Sequence, residues 1–447
     1  MTAIAGSSVL ASLVRLICAR ATWIALADAA AIALALALPW STTLVAVFAV
    51  LMLVVLVPFL DVGALLQSLR RPASVVAIAL FMLAAAGMLW SPAPWAERLH
   101  GVGPTLKLLM LPVLFYHFER SERGQWVFIA FLVSCVLLSV MSWIVAFHPD
   151  LSLKPRFNAA HGIFVKDYID QSQEFTLCVM ALAYPIIAVL RARKVRLALL
   201  LCAIALALLA NMMFVIVSRT ALVTMPVMAA VFGLLHLRWR TNLVILAASI
   251  AALTAAWAVS PQFDFVLARF SQDYRNYKLG IPSSTAERLE YWNSALTFFA
   301  DAPLIGNGTG STKELYEQAA RSPKWGEGIR VFPNPHNQTL AVAIQWGALG
   351  VAVLYAMWLV HLLLFRGDGL ANWIGLMVVM QNIFTSLFNS HIFDFHEGWM
   401  YVLGVGVAGG MVLKARAGPH LHYEASIEGE AVDPQKFLRA GVRLSAD

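Results

Sequence analysis

The chain has 447 residues, 60% of them hydrophobic and only 13% charged, with a mean hydropathy of +0.74. That composition excludes an ordinary soluble domain and points to an all-α polytopic membrane protein. The formal charge of +7 calls for no nucleic-acid partner, because arginines in the short loops that orient membrane spans account for it.

Arg15 and Arg20 precede the first long apolar run, the pattern of an uncleaved first span rather than a signal peptide. Runs of spanning length follow at about 21–40, 42–60, 73–90, 103–118, 125–147, 172–190, 197–217, 220–237, 242–259, 338–365, 370–389 and 398–413. The expectation is therefore about twelve transmembrane helices. Cys18, Cys135, Cys178 and Cys202 all lie in or beside apolar runs, so no disulfide framework is expected.

Lysine and arginine alternate between the connections. Arg70 and Arg71, Arg120 and Arg123, Arg191 to Arg196, Arg238 and Arg240, Arg366, and Lys414 with Arg416 all fall on one side. Arg98 and Arg219 are the cations of the short opposite turns. The bias places both termini in the cytoplasm. Lys107 falls inside a span and is expected to snorkel from its outer end.

Two longer segments then face outward, at about 148–171 and 260–337. In the second, Ser284-Thr285-Ala286-Glu287 is a capping box that opens a helix, with Leu289, Trp292, Leu296 and Phe299 along one face. Pro303 and the glycines 306, 308 and 310 end it, and Ser311-Thr312-Lys313-Glu314 offers a second capping box. The loop reads as two short amphipathic helices over the membrane mouth. Residues 1–414 read as one transmembrane catalytic domain that includes this loop between spans nine and ten. Residues 415–447 read as a polar, poorly ordered cytoplasmic tail.

Four features converge on the outer side: Arg219 in a tight turn, Arg288 in the loop helix, His336 at the start of the tenth span, and Asp394 between His391 and His396. Ionisable groups at such depths are costly and are functional candidates by default. Each has a plainer alternative. Arg219 can anchor a lipid headgroup, Arg288 can pair with Glu287 or Glu290, His336 can bond a carbonyl, and the 391–396 segment can be a polar turn. Lys166 is a further candidate for an anionic ligand. Pro333 and Pro335 fix how the chain approaches the helix, and the helix dipole there favours neutral imidazole at His336.

Other signals fail. His396-Glu397 begins like a zinc-protease helix, but Met400 stands where the second histidine is needed. Gly306-Asn307-Gly308-Thr309-Gly310 follows no strand and is read as a turn. His391, His396 and Asp394 match no metal-site spacing, so no metal or cofactor is expected. What remains is two guanidinium groups suited to a diphosphate and a histidine suited to take a proton from an attacking hydroxyl. A site at the membrane surface suits a substrate with a lipid tail. The set is compatible with glycosyl transfer from a lipid diphosphate.

Three stretches carry a family resemblance: Val217-Ser218-Arg219-Thr220; Glu287-Arg288-Leu289-Glu290-Tyr291-Trp292 leading to Pro303-Leu304-Ile305-Gly306-Asn307-Gly308; and Pro335-His336-Asn337-Gln338-Thr339-Leu340. In these the chain resembles the O-antigen ligase and polymerase superfamily of bacterial envelopes. The resemblance implies a multispan glycosyltransferase-like fold in the bacterial inner membrane with its site facing the periplasm. It implies an undecaprenyl-diphosphate-linked glycan donor and metal-independent, inverting transfer. His336 would be the base, and Arg219 and Arg288 would hold the diphosphate; Asp394, from its position alone, is a further substrate-binding candidate that either orients His336 or caps a turn. For a ligase the acceptor is a sugar hydroxyl of lipid A–core. The short tail disfavours a protein O-glycosyltransferase, while a polymerase or a non-catalytic transporter of lipid-linked sugar remains an alternative.

Overall fold

The computed structural model describes residues 20–153, 162–216, 218–236, 238–259, 268, 271–276, 279, 284–320, 334–418, 425–427 and 430–432. Alanine-rich α1 (Arg20–Ala37) turns through Pro39-Trp40-Ser41 into α2 (Thr42–Leu56), whose N-terminus Ser41 caps by accepting from the Leu44 amide. Asp61 caps α3 (Val62–Arg70), and Pro72 opens α4 (Pro72–Ala86) after a 78° bend. Helix α5 (Trp95–Val102) runs through a 3-10 stretch, Gly103–Leu109, into α6 (Met110–Phe118).

Next come α7 (Gly124–Phe147), α8 (Tyr168–Arg191), α9 (Val195–Phe214), α10 (Arg219–His236) and α11 (Trp239–Val259). The loop helices are α12 (Ser284–Asp301) and α13 (Thr312–Ala320). Helices α14 (Gln338–Leu364), α15 (Leu370–Thr385) and α16 (Phe395–Ala417) complete the bundle. In the tail, β1 (Ala425–Ile427) pairs antiparallel with β2 (Glu430–Val432).

All twelve expected segments are helical. Among the described residues, eight helices are long and apolar enough to cross a membrane alone, and α3 with α4 makes a ninth as a bent pair. Helix α3 escaped the hydropathy reading because it is amphipathic, with Arg70 in its last turn. Helix α16 lies deepest: Gly404 meets Val378, while Gly406, Gly409 and Gly410 let Leu114, Phe115 and Phe118 of α6 close on it. Small residues admit such close approach where the lipid supplies no hydrophobic drive between helices.

Helix α14 is broken at Gly347, whose φ of 61° and ψ of −157° interrupt the ladder. An unbroken helix would bond the amides of Ala348 and Leu349 to the carbonyls of Ile344 and Gln345. The segment after α12 replaces both bonds. Its Pro303 and Leu304 carbonyls accept from the Ala348 amide at 2.7 Å and the Leu349 amide at 3.1 Å. Its Asn307 and Gly308 amides donate to the Ile344 carbonyl at 2.9 Å and the Gln345 carbonyl at 2.8 Å. All four backbone groups are met, as a low-dielectric setting requires. Thr309 locks the insertion: its hydroxyl donates to the Ala84 carbonyl at 2.6 Å and accepts from the Trp346 indole at 2.8 Å. Glycine-rich 306–310, expected to be a simple turn, is thus a plug that fastens the loop to α4 and α14.

The loop helices form where expected, but two details differ. Helix α12 packs through Tyr291, Ala295 and Phe298 onto Tyr316 and Ile344, while Leu289 and Leu296 are exposed. Both rows have helical spacing, so periodicity alone did not choose the packed one. Ser311 forms no capping box either, because its hydroxyl donates to the Gly308 carbonyl at 2.7 Å. The side chains of 284–286 lie outside the described residues, as does that of Arg219.

Candidate active site

The site is built where the chain enters α14. Asn337 is the N-cap, its side-chain oxygen accepting from the Leu340 amide at 3.0 Å. Its amide group also donates to the Leu387 carbonyl at 3.2 Å, and the Gln338 amide donates to the Ser386 carbonyl at 2.9 Å. The Gln338 side chain accepts from the Ile392 amide at 2.8 Å. These bonds join the head of α14 to the 386–394 segment between α15 and α16.

His336 directly precedes the cap and has φ +51°, a left-handed conformation uncommon for a non-glycine residue. Three contacts hold it there. The Asn334 side-chain oxygen accepts from the His336 amide at 2.9 Å and from the Ser390 hydroxyl at 2.9 Å. The Trp292 indole donates to the Pro335 carbonyl at 2.9 Å, which ties α12 to the same turn. The imidazole Nδ1 lies 3.1 Å from Asn389 Oδ1, and Tyr291 stands with its ring 6.4 Å from the imidazole.

The half-buried imidazole has its pKa below the ordinary value. Burial is the largest cause, and the Arg288 charge adds to it. The Asn389 hydrogen bond and the charges of Asp394 and Glu287 oppose the shift. Neutral imidazole is favoured, as the sequence led us to expect, but by burial more than by the helix dipole. Arg288 thus lies near enough for its charge to act on the imidazole.

Asp394 caps α16 by position, yet its carboxylate makes no cap hydrogen bond. It accepts instead from the Asn389 amide at 2.9 Å and faces His391 Nδ1 at 3.2 Å. His391 is also 3.6 Å from the buried Glu397 carboxylate. Burial alone would lower the His391 pKa, but Glu397 and Asp394 outweigh it and push it up to about 9. His391 is therefore an imidazolium between two carboxylates, more than a polar turn residue. Among the described residues, ligand atoms of His391, Asp394 and Glu397 lie within 4.8 Å of one another, a metal-site spacing, but an imidazolium has no lone pair to offer an ion.

The other sequence candidates have structural partners. Lys166 is buried, paired with Glu174 at 2.9 Å and bonded to the Leu38 carbonyl, so it is not placed to receive an anion. His396 pairs with Asp170 of α8 at 2.6 Å. Lys107 does not snorkel: its ammonium donates to the Phe393 and Asp394 carbonyls and fixes the segment that carries Asp394. Its long stem makes that reach, which a span-by-span reading could not foresee. Asn389 and Ser390 were also missed, because neutral polar residues in a turn give no sequence signal apart from what they touch.

A small polar pocket lined by Gln381, Asn382, Thr385, Glu397 and Tyr401 lies beside this cluster. It shares Leu177, Val378 and Met400 with a larger apolar cavity that runs among α7, α8, α15 and α16. The apolar cavity and the polar pocket therefore adjoin across these three side chains.

The family model described as O-antigen ligase matches residues 204–355, a stretch that contains Arg219, Arg288 and His336. No curated protein matches the chain significantly.

Proposed function

We propose, from the match of residues 204–355 to the O-antigen ligase family model, that the chain is a member of the O-antigen ligase/polymerase superfamily and transfers O-antigen glycan from undecaprenyl diphosphate to a sugar hydroxyl of lipid A–core. The observation that carries this reading is the hydrogen-bonding state of His336. Its Nδ1 side is turned to Asn389, its pKa is depressed, and Arg288 acts on it. That combination suits a base working beside an anionic leaving group.

In the proposed step the acceptor hydroxyl oxygen attacks the anomeric carbon opposite the diphosphate. The hydroxyl proton passes to His336 Nε2. The anomeric C–O bond to the diphosphate breaks, the leaving oxygen takes the electron pair, and the anomeric centre inverts. Arg288 and Arg219 would bind the diphosphate and stabilise the charge that develops on it. The apolar cavity beside the site suits the isoprenoid tail of the donor. The site would face the periplasm of the inner membrane, where the charge bias of the loops puts it.

The test is the purified protein with lipid-linked donor and lipid A–core, in the presence of a chelator. Glycan should appear on lipid A–core and free undecaprenyl diphosphate should accumulate in equal amount. A deletion strain separates ligase from polymerase. Bare core supports the ligase, whereas core carrying a single repeat unit would replace it with the polymerase.

A further inference from the structure

We propose that Asn389 is a positioning residue that sets the tautomer of His336 and keeps the Asp394 charge one side chain away from it. The inference rests on the reading of His336 as the base and adds to it the device that keeps that base working. It follows from accounting for hydrogens.

The Asp394 carboxylate only accepts, so the end of the Asn389 amide that faces it at 2.9 Å must be the NH2 group. Asn389 Oδ1 therefore faces His336, at 3.1 Å from Nδ1. An amide oxygen only accepts, so Nδ1 must carry the proton and Nε2 keeps the lone pair. Reversing the amide would set oxygen against carboxylate on one side. A second amide agrees with this assignment. Asn334 Oδ1 accepts from the His336 amide and the Ser390 hydroxyl, so its NH2 group is the end that reaches Asn389 Oδ1, at 3.5 Å. Both amides are thus fixed by their surroundings, and together they hold a residue whose backbone is itself in a rarely occupied conformation.

The identity of the intermediary has a chemical consequence. A carboxylate bonded directly to Nδ1 would orient the ring equally well, but its full charge would stabilise imidazolium. An amide gives direction with only a dipole. Among the described residues, the charged groups acting on His336 are Arg288 and Glu287 on α12 and Asp394 ahead of α16, and Tyr291 is a titratable neighbour on α12. Asp394 is in turn countered by His391, which Glu397 also holds. Asn389 therefore passes on the orientation that Asp394 supplies and withholds most of its charge.

The experiment measures kcat and KM against pH with the purified full-length protein, lipid-linked donor and lipid A–core. Asn389→Asp should raise the acid limb of the kcat profile by about one pH unit or more, with turnover recovering at alkaline pH. Asn389→Ala should lower kcat roughly 10- to 100-fold at every pH, as loss of an orienting partner does, with donor KM little changed. The exchange Asn389→Asp with Asp394→Asn restores a donor opposite an acceptor. It should recover the plateau of turnover while keeping the raised acid limb, an outcome that a merely structural asparagine would not give.

Thermal midpoints identify any variant that misfolds, and the double exchange then decides. Wild-type pH profiles and turnover in folded Asn389 variants would overturn this assignment, provided His336→Ala is inactive. Full turnover in His336→Ala would instead overturn the base itself.

Discussion

Two histidines bracket α14, and they meet burial in opposite ways. His361, in the last turns, is fully buried with both ring nitrogens committed: Nε2 donates to the Ala73 carbonyl at 2.9 Å, so Nδ1 accepts from the Tyr401 hydroxyl at 2.6 Å. His336, at the head, has its Nδ1 proton committed to Asn389 and retains an unprotonated Nε2 in a half-buried setting beside Arg288. On the proposed reading, a histidine in a membrane bundle is a brace or a base according to what its second nitrogen is given to do.

The sharpest way to break the comparison is to remove each ring. His336→Ala should cost turnover by about 10²–10⁴ and leave the thermal midpoint near that of the wild type. His361→Ala should do the reverse. It strands a buried carbonyl and a buried hydroxyl at roughly 1–3 kcal/mol each, lowering the thermal midpoint while each folded molecule keeps its turnover. Equal losses of activity in both variants would erase the distinction.

A somewhat smaller effect is expected at the cation. Arg288→Ala should lower kcat on the order of 10²–10³, the scale for losing one stabilising group at a developing anion. Arg288→Lys should recover part of this, since a point charge replaces a forked donor. An unchanged kcat in Arg288→Ala would take the guanidinium out of the reaction. The pH profile of the wild type gives a further check. The base acts when neutral and its pKa is depressed, so turnover should be level through neutral pH and fall only below the ordinary histidine range. A limb centred above about 6.5 would contradict the buried setting of His336.

The smallest effect is at His391, whose pKa is raised to about 9. A group with a raised folded-state pKa stabilises fully below its ordinary value, near 6.5, and loses that contribution as pH rises through its folded value. The gap in thermal midpoint between wild type and His391→Gln should therefore be widest at mildly acidic pH and close in the alkaline range. A gap independent of pH would mean that His391 holds Asp394 by shape alone.

The sequence revealed the scaffold better than the detail. Long apolar runs announced the spans because each must exceed a bilayer's thickness, whatever it packs against. His336 and Arg288 stood out as candidates because charge and imidazole chemistry are rare at such positions. Asn389 was not, since its role exists only between two groups brought together by folding. The plug at 306–310 was hidden for a similar reason: its glycines read as a turn, and the break they fill lies at Gly347, 37 residues after the plug's last glycine, Gly310. Lys166 misled in the other direction, because a cation in an outer segment looks available until Glu174 is found beside it.

The break in α14 also bears on biogenesis. Residues 338–346 form a half-helix of about 13 Å at 1.5 Å per residue, well short of a membrane's thickness. The backbone groups at its break are met by Pro303–Gly308, which is synthesised earlier. The break is therefore satisfied only in a chain whose loop has docked. Because His336 stands at the head of that half-helix, the candidate site is complete only in a chain whose break the loop has closed.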